Sequence, residues 1–207
     1  MDKSKFAVDT YDKIADIYTK QYFDDLSDIE YIDKFLKLLP RNANVLDVGS
    51  GPGQFSKYII SKGFCVIGID FSQKMIDIAK EKVSNVTFKQ MDMRKLNFEN
   101  NYFDGLLVAY SLIHIPSTDI HKTIDGFHRV LKQNGVIEFI TQKGEADKII
   151  DEPFMPSEKM FFNFFTKEKI TNFLTKANFK IEFLEETDSH DPNSVGNKII
   201  YTIARKI

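Results

Sequence analysis

Short apolar runs alternate along this chain with longer segments of helical periodicity, and this alternation constrains the fold more than any other feature. Each run is too short for a buried helix and shows little polar alternation, as expected of parallel strands that are covered on both faces. The alternation therefore predicts an α/β fold with a parallel sheet. The predicted strands are Val45–Val48, Phe64–Ile69, Val86–Met91, Phe103–Ala109 and Val136–Thr141.

The segments between and around these strands predict amphipathic helices. Ser72 and Ser117 each precede such a segment and are suited to cap its first turn. Asn134-Gly135 predicts the turn that separates the helix after Ser117 from the next strand. The other predicted helices are Ile29–Leu39, which Pro40 ends, Gln54–Ser61 and Thr166–Ala177.

Two further strands, Phe179–Glu186 and Lys198–Ala204, are predicted near the end of the chain. The loop Thr187–Asn197 between them is too short for a helical crossover, so the two strands are predicted to be antiparallel. A length of 207 residues is typical of one domain. We therefore expect residues 1–207 to form a single domain.

Charge and composition disfavour several functional classes. The 28 Lys and Arg residues against 30 Asp and Glu residues give a net charge of −2, so no nucleic-acid partner is expected. The chain has no apolar run long enough to span a membrane and no apolar signal segment, so we expect a cytoplasmic protein with no membrane partner. The one cysteine, Cys65, lies in an apolar run and is interpreted as a core residue. His121 and His128 lack the spacing of a metal-binding motif, so no metal is expected.

A glycine-rich turn directly follows the first predicted strand, in the segment Val45–Gly53. Gly49, Gly51 and Gly53 allow the backbone to turn tightly and a ligand to approach it without a Cβ in the way. A dinucleotide-binding fingerprint would need glycine at the position of Gln54, and the Gly-Lys-Ser/Thr of a phosphate loop is absent. The turn alone leaves two interpretations open, a structural strand-to-helix connection and a ligand-binding loop.

Two carboxylates at neighbouring strand ends favour the ligand-binding interpretation. Asp70 closes the second predicted strand, where an acidic side chain can accept the hydroxyls of a ribose. Asp92 follows the third predicted strand, where it can accept an exocyclic amino group. Because parallel strands end at one edge of the sheet, these groups are expected to lie beside the glycine turn, in positions suited to an adenosine.

These motifs together resemble those of the class I S-adenosylmethionine-dependent methyltransferases of the small stand-alone type. The resemblance rests on Asp47-x-Gly49-x-Gly51-x-Gly53, on Asp70, on Asp92-Met93 and on the segment 102–116. It implies a Rossmann-like, seven-stranded, mostly parallel sheet with helices on both faces and an antiparallel last strand. It also implies S-adenosylmethionine as the cofactor and S-adenosylhomocysteine as its product. The segment 11–18 resembles the helix that covers the cofactor in this family, so residues 1–40 are expected to do so here.

The resemblance implies a role for each matching residue. Asp70 would hold the ribose, Asp92 the adenine edge, and Tyr110 would lie close to the sulfonium. Asp47 would orient the glycine turn or reach the methionine amine through water. The implied cofactor-binding residues are Tyr11, Tyr18, Asp47, Gly49, Ser50, Gly51, Gly53, Asp70, Phe71, Ser72, Met75, Asp92, Met93, Ala109 and Tyr110.

The acceptor side is expected to be built from less patterned segments. Residues 142–165 are long for a strand-to-helix connection and are interpreted as a lid-like insertion, with a solvated loop as the alternative. His114 follows the fourth strand, where it could deprotonate the acceptor, orient it, or only bond the loop backbone; with Tyr110 it is a candidate catalytic residue. The phenylalanines clustered between Phe154 and Phe165 predict an apolar wall that selects an apolar or aromatic acceptor, with core packing as the alternative. The candidate substrate-side residues are His114, Phe154, Phe161, Phe162, Phe165 and His190.

The function expected from the resemblance is transfer of a methyl group to a small-molecule acceptor, by in-line displacement in a water-excluding cleft. Two alternatives stay open: a non-catalytic cofactor-binding partner or regulatory protein, and a methyltransferase that acts on protein or RNA. The segment after strand four reads Ala109-Tyr110-Ser111-Leu112. It lacks the Asn-Pro-Pro-Tyr type of tetrapeptide, which disfavours planar nitrogen acceptors but not other nitrogen acceptors. The sequence leaves the acceptor atom open, and a monomer or a homodimer is expected.

Overall fold

Strands and helices alternate through most of the chain in the computed structural model, which describes residues 3–191 and 195–207. The strands are β1 (Asn44–Val48), β2 (Cys65–Asp70), β3 (Thr87–Gln90), β4 (Phe103–Ala109), β5 (Leu131–Gln142), β6 (Lys148–Glu152), β7 (Met155–Phe162), β8 (Phe179–Asp188) and β9 (Lys198–Lys206). The helices are α1 (Lys3–Tyr22), α2 (Ile29–Leu36), α3 (Gln54–Ser61), α4 (Gln73–Lys82), α5 (Ser117–Val130) and α6 (Lys167–Lys176). Within these described ranges, no helix has the length and apolar character needed to cross a membrane.

A seven-stranded sheet has the order β3-β2-β1-β4-β5-β9-β8. Neighbouring strands from β3 to β5 are parallel, whereas β9 is antiparallel to both β5 and β8. This confirms the predicted Rossmann-like, mostly parallel sheet with an antiparallel last strand. The strand order reverses between β1 and β4, and in such sheets ligands bind in the crevice at the carboxyl ends of those strands.

The core lies on both faces of this sheet. On one face α5 and α6 pack through residues such as Phe127 and Leu174. On the other face α2, α3 and α4 pack around residues such as Phe35. Because side chains alternate along a strand, Leu106 and Leu107 of β4 belong to opposite faces and both are fully buried. The parallel strands are apolar on both sides for this reason.

Strand β5 begins earlier than the sequence predicts. It starts at Leu131, which pairs with Phe103, and the predicted turn at Asn134-Gly135 lies inside it. Asn134 has a left-handed backbone, with φ of 64°, next to a register shift in the pairing of β4 with β5. A Cβ on Gly135 would lie 2.9 Å from the Lys132 carbonyl oxygen, so glycine is required there. The Asn-Gly pair therefore bends a strand rather than separating two elements.

Three further predictions are corrected by the structure. Pro116 precedes the first turn of α5, so Ser117 is not the cap, and its hydroxyl instead donates to Asp147 Oδ1 at 2.7 Å. Helix α2 ends at Leu36 rather than Leu39, where a turn begins. Cys65 is exposed rather than buried, because it is the first residue of β2 and lies at the rim of the sheet.

The predicted insertion, residues 142–165, contains an antiparallel hairpin of β6 and β7. The hairpin packs on α1, where the Thr10 hydroxyl donates to the Lys159 carbonyl at 2.9 Å and Lys13 pairs with Glu158 at 2.8 Å. The Asn163 amide donates to the Ile115 carbonyl at 2.8 Å. The hairpin is thus fixed both to α1 and to the segment that follows β4.

Candidate functional site

Two adjoining cavities lie at the carboxyl ends of β1, β2 and β4. The first, which we call the glycine-turn cavity, is bordered by Gly49, Gly51, Asp70, Phe71, Met75, Asp92, Met93 and Ala109. The second, which we call the hairpin cavity, is bordered by Tyr22, Asp25, Asp28, Gln142, Glu152, Phe154, Phe162, His190 and Asp191. The two share a wall of Tyr11, Tyr18, Gln54, Phe55 and Tyr110. A molecule bound in one cavity therefore lies beside a molecule bound in the other.

Hydrogen bonds and packing fix one side of the glycine turn, whereas its other side faces the cavity. The amides of Gly49 and Ser50 both donate to the Ile69 carbonyl, at 2.7 and 2.9 Å. A Cβ on Gly49 would lie only 2.2 Å from Ser111 Cβ, so the end of β4 can pack against the turn only if this residue is glycine. At Gly51, with φ of +52°, the nearest atom to such a Cβ would be Gln54 Oε1 at 3.8 Å. The missing side chain of Gly51 thus leaves room for a ligand against the backbone.

Asp70 joins the glycine turn to the start of α4. Its Oδ2 accepts from the Gly51 amide at 2.9 Å and its Oδ1 accepts from the Ser72 amide at 2.8 Å. Burial raises the pKa of Asp70 to about 6, although these hydrogen bonds stabilise the carboxylate and act to lower its pKa. The carboxyl group borders the cavity and is ionised at neutral pH, as an acceptor for ligand hydroxyls needs to be.

Four of the residues implied as cofactor-binding lie behind the cavity wall and do not border it: Asp47, Ser50, Gly53 and Ser72. Asp47 is 1% exposed and accepts from the Ser56 hydroxyl at 2.6 Å, and burial raises its pKa to about 7. Its carboxyl group thus holds the start of α3 and does not border the cavity. The Ser72 hydroxyl caps α4 by accepting from the Met75 amide, and it donates to Asp12 of α1.

Asp92 borders the cavity but is already paired. Arg94 binds both of its oxygens, with a shortest distance of 2.7 Å from Nη2 to Oδ2. The Arg94 amide also donates to Asp92 Oδ1, which caps the short 3₁₀ turn Met93–Lys95. The ion pair fixes the position of the carboxylate, and a ligand amino group there would share it with the guanidinium.

Tyr110 lies in the wall that the two cavities share. It has φ of 51°, which is uncommon for a residue other than glycine, and its amide donates to the Ile140 carbonyl at 2.9 Å. Its hydroxyl donates to Asp28 Oδ1 at 3.1 Å, and the Tyr201 hydroxyl donates to the same oxygen at 2.6 Å. These contacts hold a strained residue at the junction of the two cavities.

His114 is buried and its two ring nitrogens both have partners. Nδ1 lies 3.0 Å from the Phe161 carbonyl oxygen, which can only accept, so Nδ1 carries the proton. Nε2 then accepts from the Tyr11 hydroxyl at 2.9 Å. Burial lowers the pKa of His114 to about 4. The imidazole borders the glycine-turn cavity, and this low pKa together with the occupied Nε2 disfavours the predicted role as a base.

The predicted phenylalanine wall is corrected by the structure. Phe154 and Phe162 border the hairpin cavity, and so does His190. Phe161 and Phe165 border neither cavity and are at most 1% exposed, because they point into the core. Along β7, Phe161 and Phe162 are successive and so face opposite sides of the hairpin. The sequence shows the cluster but not which side each ring takes.

Four carboxylates of the hairpin cavity are not among the candidate site residues of the sequence analysis: Asp25, Asp28, Glu152 and Asp191. Asp28 and Glu152 are 7% and 4% exposed, and burial raises the pKa of each. Asp191 accepts from the Tyr22 hydroxyl at 2.6 Å. These residues come from the start of α2, the hairpin and the loop before β9, and no motif links segments so far apart in the chain.

Comparisons with known proteins agree on one family. Residues 45–135 match the family described as "Methyltransferase domain". The Bacillus subtilis protein named "Putative methyltransferase YqeM" is 34% identical over 106 residues, which are 49% of this chain and 43% of that protein. The chain thus spans less than half the length of this relative.

Two solved structures show the same fold. A SAM-dependent methyltransferase of Methanosarcina mazei has a TM-score of 0.77 at 20% identity, over 83% of this chain and 96% of that chain. The magnesium protoporphyrin IX methyltransferase of Synechocystis, solved with bound SAM, has a TM-score of 0.76 at 18% identity, over 100% of this chain and 98% of that chain. At these identities the likeness concerns the fold.

Proposed function

We propose, since this chain belongs to the class I S-adenosylmethionine-dependent methyltransferases, that it transfers a methyl group from S-adenosylmethionine to a small-molecule acceptor. The observation that carries the proposal is the pair of adjoining cavities, with Tyr110 in the wall between them. One cavity has the features that an adenosine and a methionine chain require, and the other can place an acceptor beside it.

The residues of the glycine-turn cavity fit S-adenosylmethionine. Asp70, ionised above about pH 6, would accept the ribose hydroxyls, and Phe71 and Met75 would flank the base. The space left by Gly51 would receive the methionine chain. Gln54 Oε1 is buried and accepts no hydrogen bond from the described residues, so it is suited to a donor such as the methionine ammonium.

The bound cofactor would supply a methyl group already activated by its attachment to a positively charged sulfur. The protein then has to align the acceptor with that methyl group and exclude water, and alignment alone can contribute several kcal/mol. Helix α1 contributes Ala7, Val8, Tyr11 and Tyr18 to the cofactor side, so within the predicted segment 1–40 we assign α1 to covering the cofactor, whereas α2 packs on the sheet. The hairpin within residues 142–165 contributes Glu152 and Phe154 and would close the acceptor side as a lid. His114 would position the Tyr11 hydroxyl and not act as a base.

Ligand-induced stabilisation tests cofactor binding directly. S-adenosylhomocysteine at about 100 times its Kd should stabilise the protein by about 2.7 kcal/mol, seen as a rise in Tm. Asp70→Ala should abolish the rise because it removes the ribose acceptor. Asp77→Ala is the matched control, since Asp77 lies on α4 and borders neither cavity. No rise in the wild-type Tm at millimolar ligand would contradict the proposal.

Transfer itself is tested with methyl-labelled S-adenosylmethionine and three acceptor pools: cell metabolites, total RNA and total protein. Label in the metabolite pool alone is the expected result. Label in RNA or protein would show that the acceptor is a macromolecule instead. Binding of the cofactor with no label in any pool would favour a non-catalytic role.

A further inference from the structure

Four carboxylate side chains line the hairpin cavity. Asp28 and Glu152 are buried in its wall, and Asp25 and Asp191 lie at its border. Among the described residues that line it there is no lysine or arginine, and His190 is its one histidine. The donors described for Asp28 and Glu152 are the neutral hydroxyls of Tyr110 and Tyr201 and the backbone amide of Phe154. Burying carboxylates without a cation beside them costs free energy, so a wall of this kind is expected to meet a cation when it is occupied.

The tyrosine hydroxyls of the wall add to this charge pattern. Tyr22 donates to Asp191 at 2.6 Å, and Tyr110 donates to Asp28 at 3.1 Å. Tyr11 donates to Nε2 of His114, whose other nitrogen holds the ring proton. Each of these hydroxyls therefore presents lone pairs and no proton to the cavity. With the carboxylates, they form a wall of hydrogen-bond acceptors, which is complementary to a ligand that donates.

Aromatic rings complete the wall. Tyr18 and Tyr22 have ring centroids 4.7 Å apart, and Tyr22 and Phe154 meet edge to face at 5.8 Å. Aromatic faces attract organic cations such as ammonium groups. Within residues 3–191 and 195–207, no three His, Cys, Asp or Glu side chains lie close enough to hold a metal ion. The carboxylates are thus spread around a cavity of molecular size and do not converge on one point.

We propose that the methyl acceptor is an organic ammonium compound, bound in the hairpin cavity through its charge and its N–H donors and methylated on nitrogen. This inference rests on the proposed function, since it names the acceptor for the same site. It replaces the apolar acceptor that the phenylalanine cluster predicts, because only Phe154 and Phe162 of that set reach the cavity while four carboxylates line it.

The reaction balances with groups already present. The ammonium group, R–NH₃⁺, gives one proton to the Glu152 carboxylate and becomes a neutral amine. The lone pair of that nitrogen forms the new N–C bond, while the C–S bond breaks and its electrons stay on sulfur, which becomes a neutral thioether. The product, R–NH₂–CH₃⁺, leaves as a cation, and Glu152 returns its proton to water. Burial raises the pKa of Glu152, which makes its carboxylate a better proton acceptor than an exposed one.

The charge of the labelled product decides the acceptor class. The protein is incubated with methyl-labelled S-adenosylmethionine and a metabolite extract, and reactions with and without protein are separated by cation exchange at pH 7. We expect a new labelled cation whose fragmentation places the methyl group on nitrogen. A new labelled anion or neutral compound would overturn the inference while leaving the proposed methyl transfer intact. No labelled metabolite at all would overturn both.

A charge-neutral variant tests the carboxylates. We expect Glu152→Gln to lower the rate of cation labelling at limiting extract about tenfold, with the Kd of S-adenosylhomocysteine changed less than about twofold. Glu158→Gln is the matched control, because Glu158 lies on the other strand of the same hairpin and borders neither cavity. A Tm shift with S-adenosylhomocysteine reports that each variant is folded.

Two outcomes would overturn the role of the carboxylates. One is an equal labelling rate for Glu152→Gln and Glu158→Gln. The other is that Glu152→Gln loses affinity for S-adenosylmethionine but not for S-adenosylhomocysteine, whose sulfur is uncharged, and has no further effect on labelling of the amine. That second pattern would mean that the negative wall faces the sulfonium and not the acceptor.

Discussion

At the scale of single residues, His114 shows how burial changes the role that a position in the sequence suggests. Its place after β4 predicts a side chain in contact with the acceptor. In the structure its Nδ1 is held by a carbonyl and its Nε2 by the Tyr11 hydroxyl. Because burial lowers the pKa of His114 to about 4, the ring is neutral at physiological pH and its one lone pair is occupied. It is therefore placed to orient Tyr11.

The pH dependence of turnover separates orientation from base catalysis. We expect His114→Gln, whose amide oxygen can still accept from Tyr11, to lower kcat by about tenfold or less and to leave the shape of the pH profile unchanged between about pH 6 and 9. His121→Gln is the control, since His121 is exposed on α5. A wild-type inflection near pH 6.5 that His114→Gln lacks would show that the ring titrates during turnover.

The sequence predicts the cofactor side of the site better than the acceptor side, for a physical reason. Asp70 and the glycine turn follow adjacent parallel strands, so their meeting is set by the sheet and can be read from the chain. Asp28, Glu152 and Asp191 meet only because α2, the hairpin and the loop before β9 fold onto one cavity. The spacing of these residues along the chain therefore does not predict that they lie close together.

At the scale of elements, the strands and helices around the glycine turn follow the sequence closely. Helix α3 and strand β4 have the predicted bounds, since glycine and apolar runs mark their ends. The hairpin of β6 and β7 was not predicted, because its strands mix charged and aromatic residues and are stabilised by contacts with α1 and with the segment after β4. Tertiary contacts of this kind override local pattern.

Two helix caps provide a matched test of how α4 supports the site. Ser72 caps α4 and also donates to Asp12 of α1, whereas Thr166 caps α6 away from both cavities. Ser72→Ala and Thr166→Ala should each lower the free energy of unfolding by about 1 kcal/mol. We expect only Ser72→Ala to weaken S-adenosylhomocysteine binding, by about fivefold, because it also loosens the link between α4 and α1.

Denaturant unfolding and ligand titration of both variants measure these effects. If Thr166→Ala weakened binding as much as Ser72→Ala, the loss would reflect general destabilisation and not the link between the helices. If neither variant lost stability, the two hydroxyls would not act as caps.

At the scale of the whole molecule, the sheet contains a carboxyl group whose burial affects global stability. Glu138 lies on β5, between β4 and β9, and is fully buried. Neither of its oxygens has a hydrogen-bond partner among the described residues. Burial is the main cause that raises the pKa of Glu138 well above its usual value, and the charge of Asp28 adds to it. The folded state thus keeps a proton that the unfolded chain releases above about pH 4.5.

This proton gives stability a pH dependence with a defined sign. Where the folded state binds more protons than the unfolded state, the free energy of unfolding falls as pH rises, by about 1.4 kcal/mol per pH unit for one group. Burial also raises the pKa of Asp47 to about 7 and of Asp70 to about 6, and it lowers the pKa of His114 to about 4. Above about pH 7.5 these three groups have largely titrated in both states, so the difference in slope between the wild type and a variant without Glu138 reports the contribution of Glu138.

Replacing this carboxyl group with an apolar side chain should therefore stabilise the protein, and more so at higher pH. We expect Glu138→Leu to raise the free energy of unfolding by about 1 to 4 kcal/mol at pH 8 and to flatten its decline between about pH 7.5 and 9. Glu182→Leu is the control, and we expect it to lower the free energy of unfolding by the same amount at every pH in this range. The Arg205 guanidinium lowers the pKa of Glu182, so this carboxylate is ionised in both the folded and the unfolded state throughout. Urea unfolding at a series of pH values measures both variants. A Glu138→Leu protein that is less stable than the wild type at pH 8, or that keeps the wild-type slope, would show that the folded sheet holds Glu138 ionised at no cost.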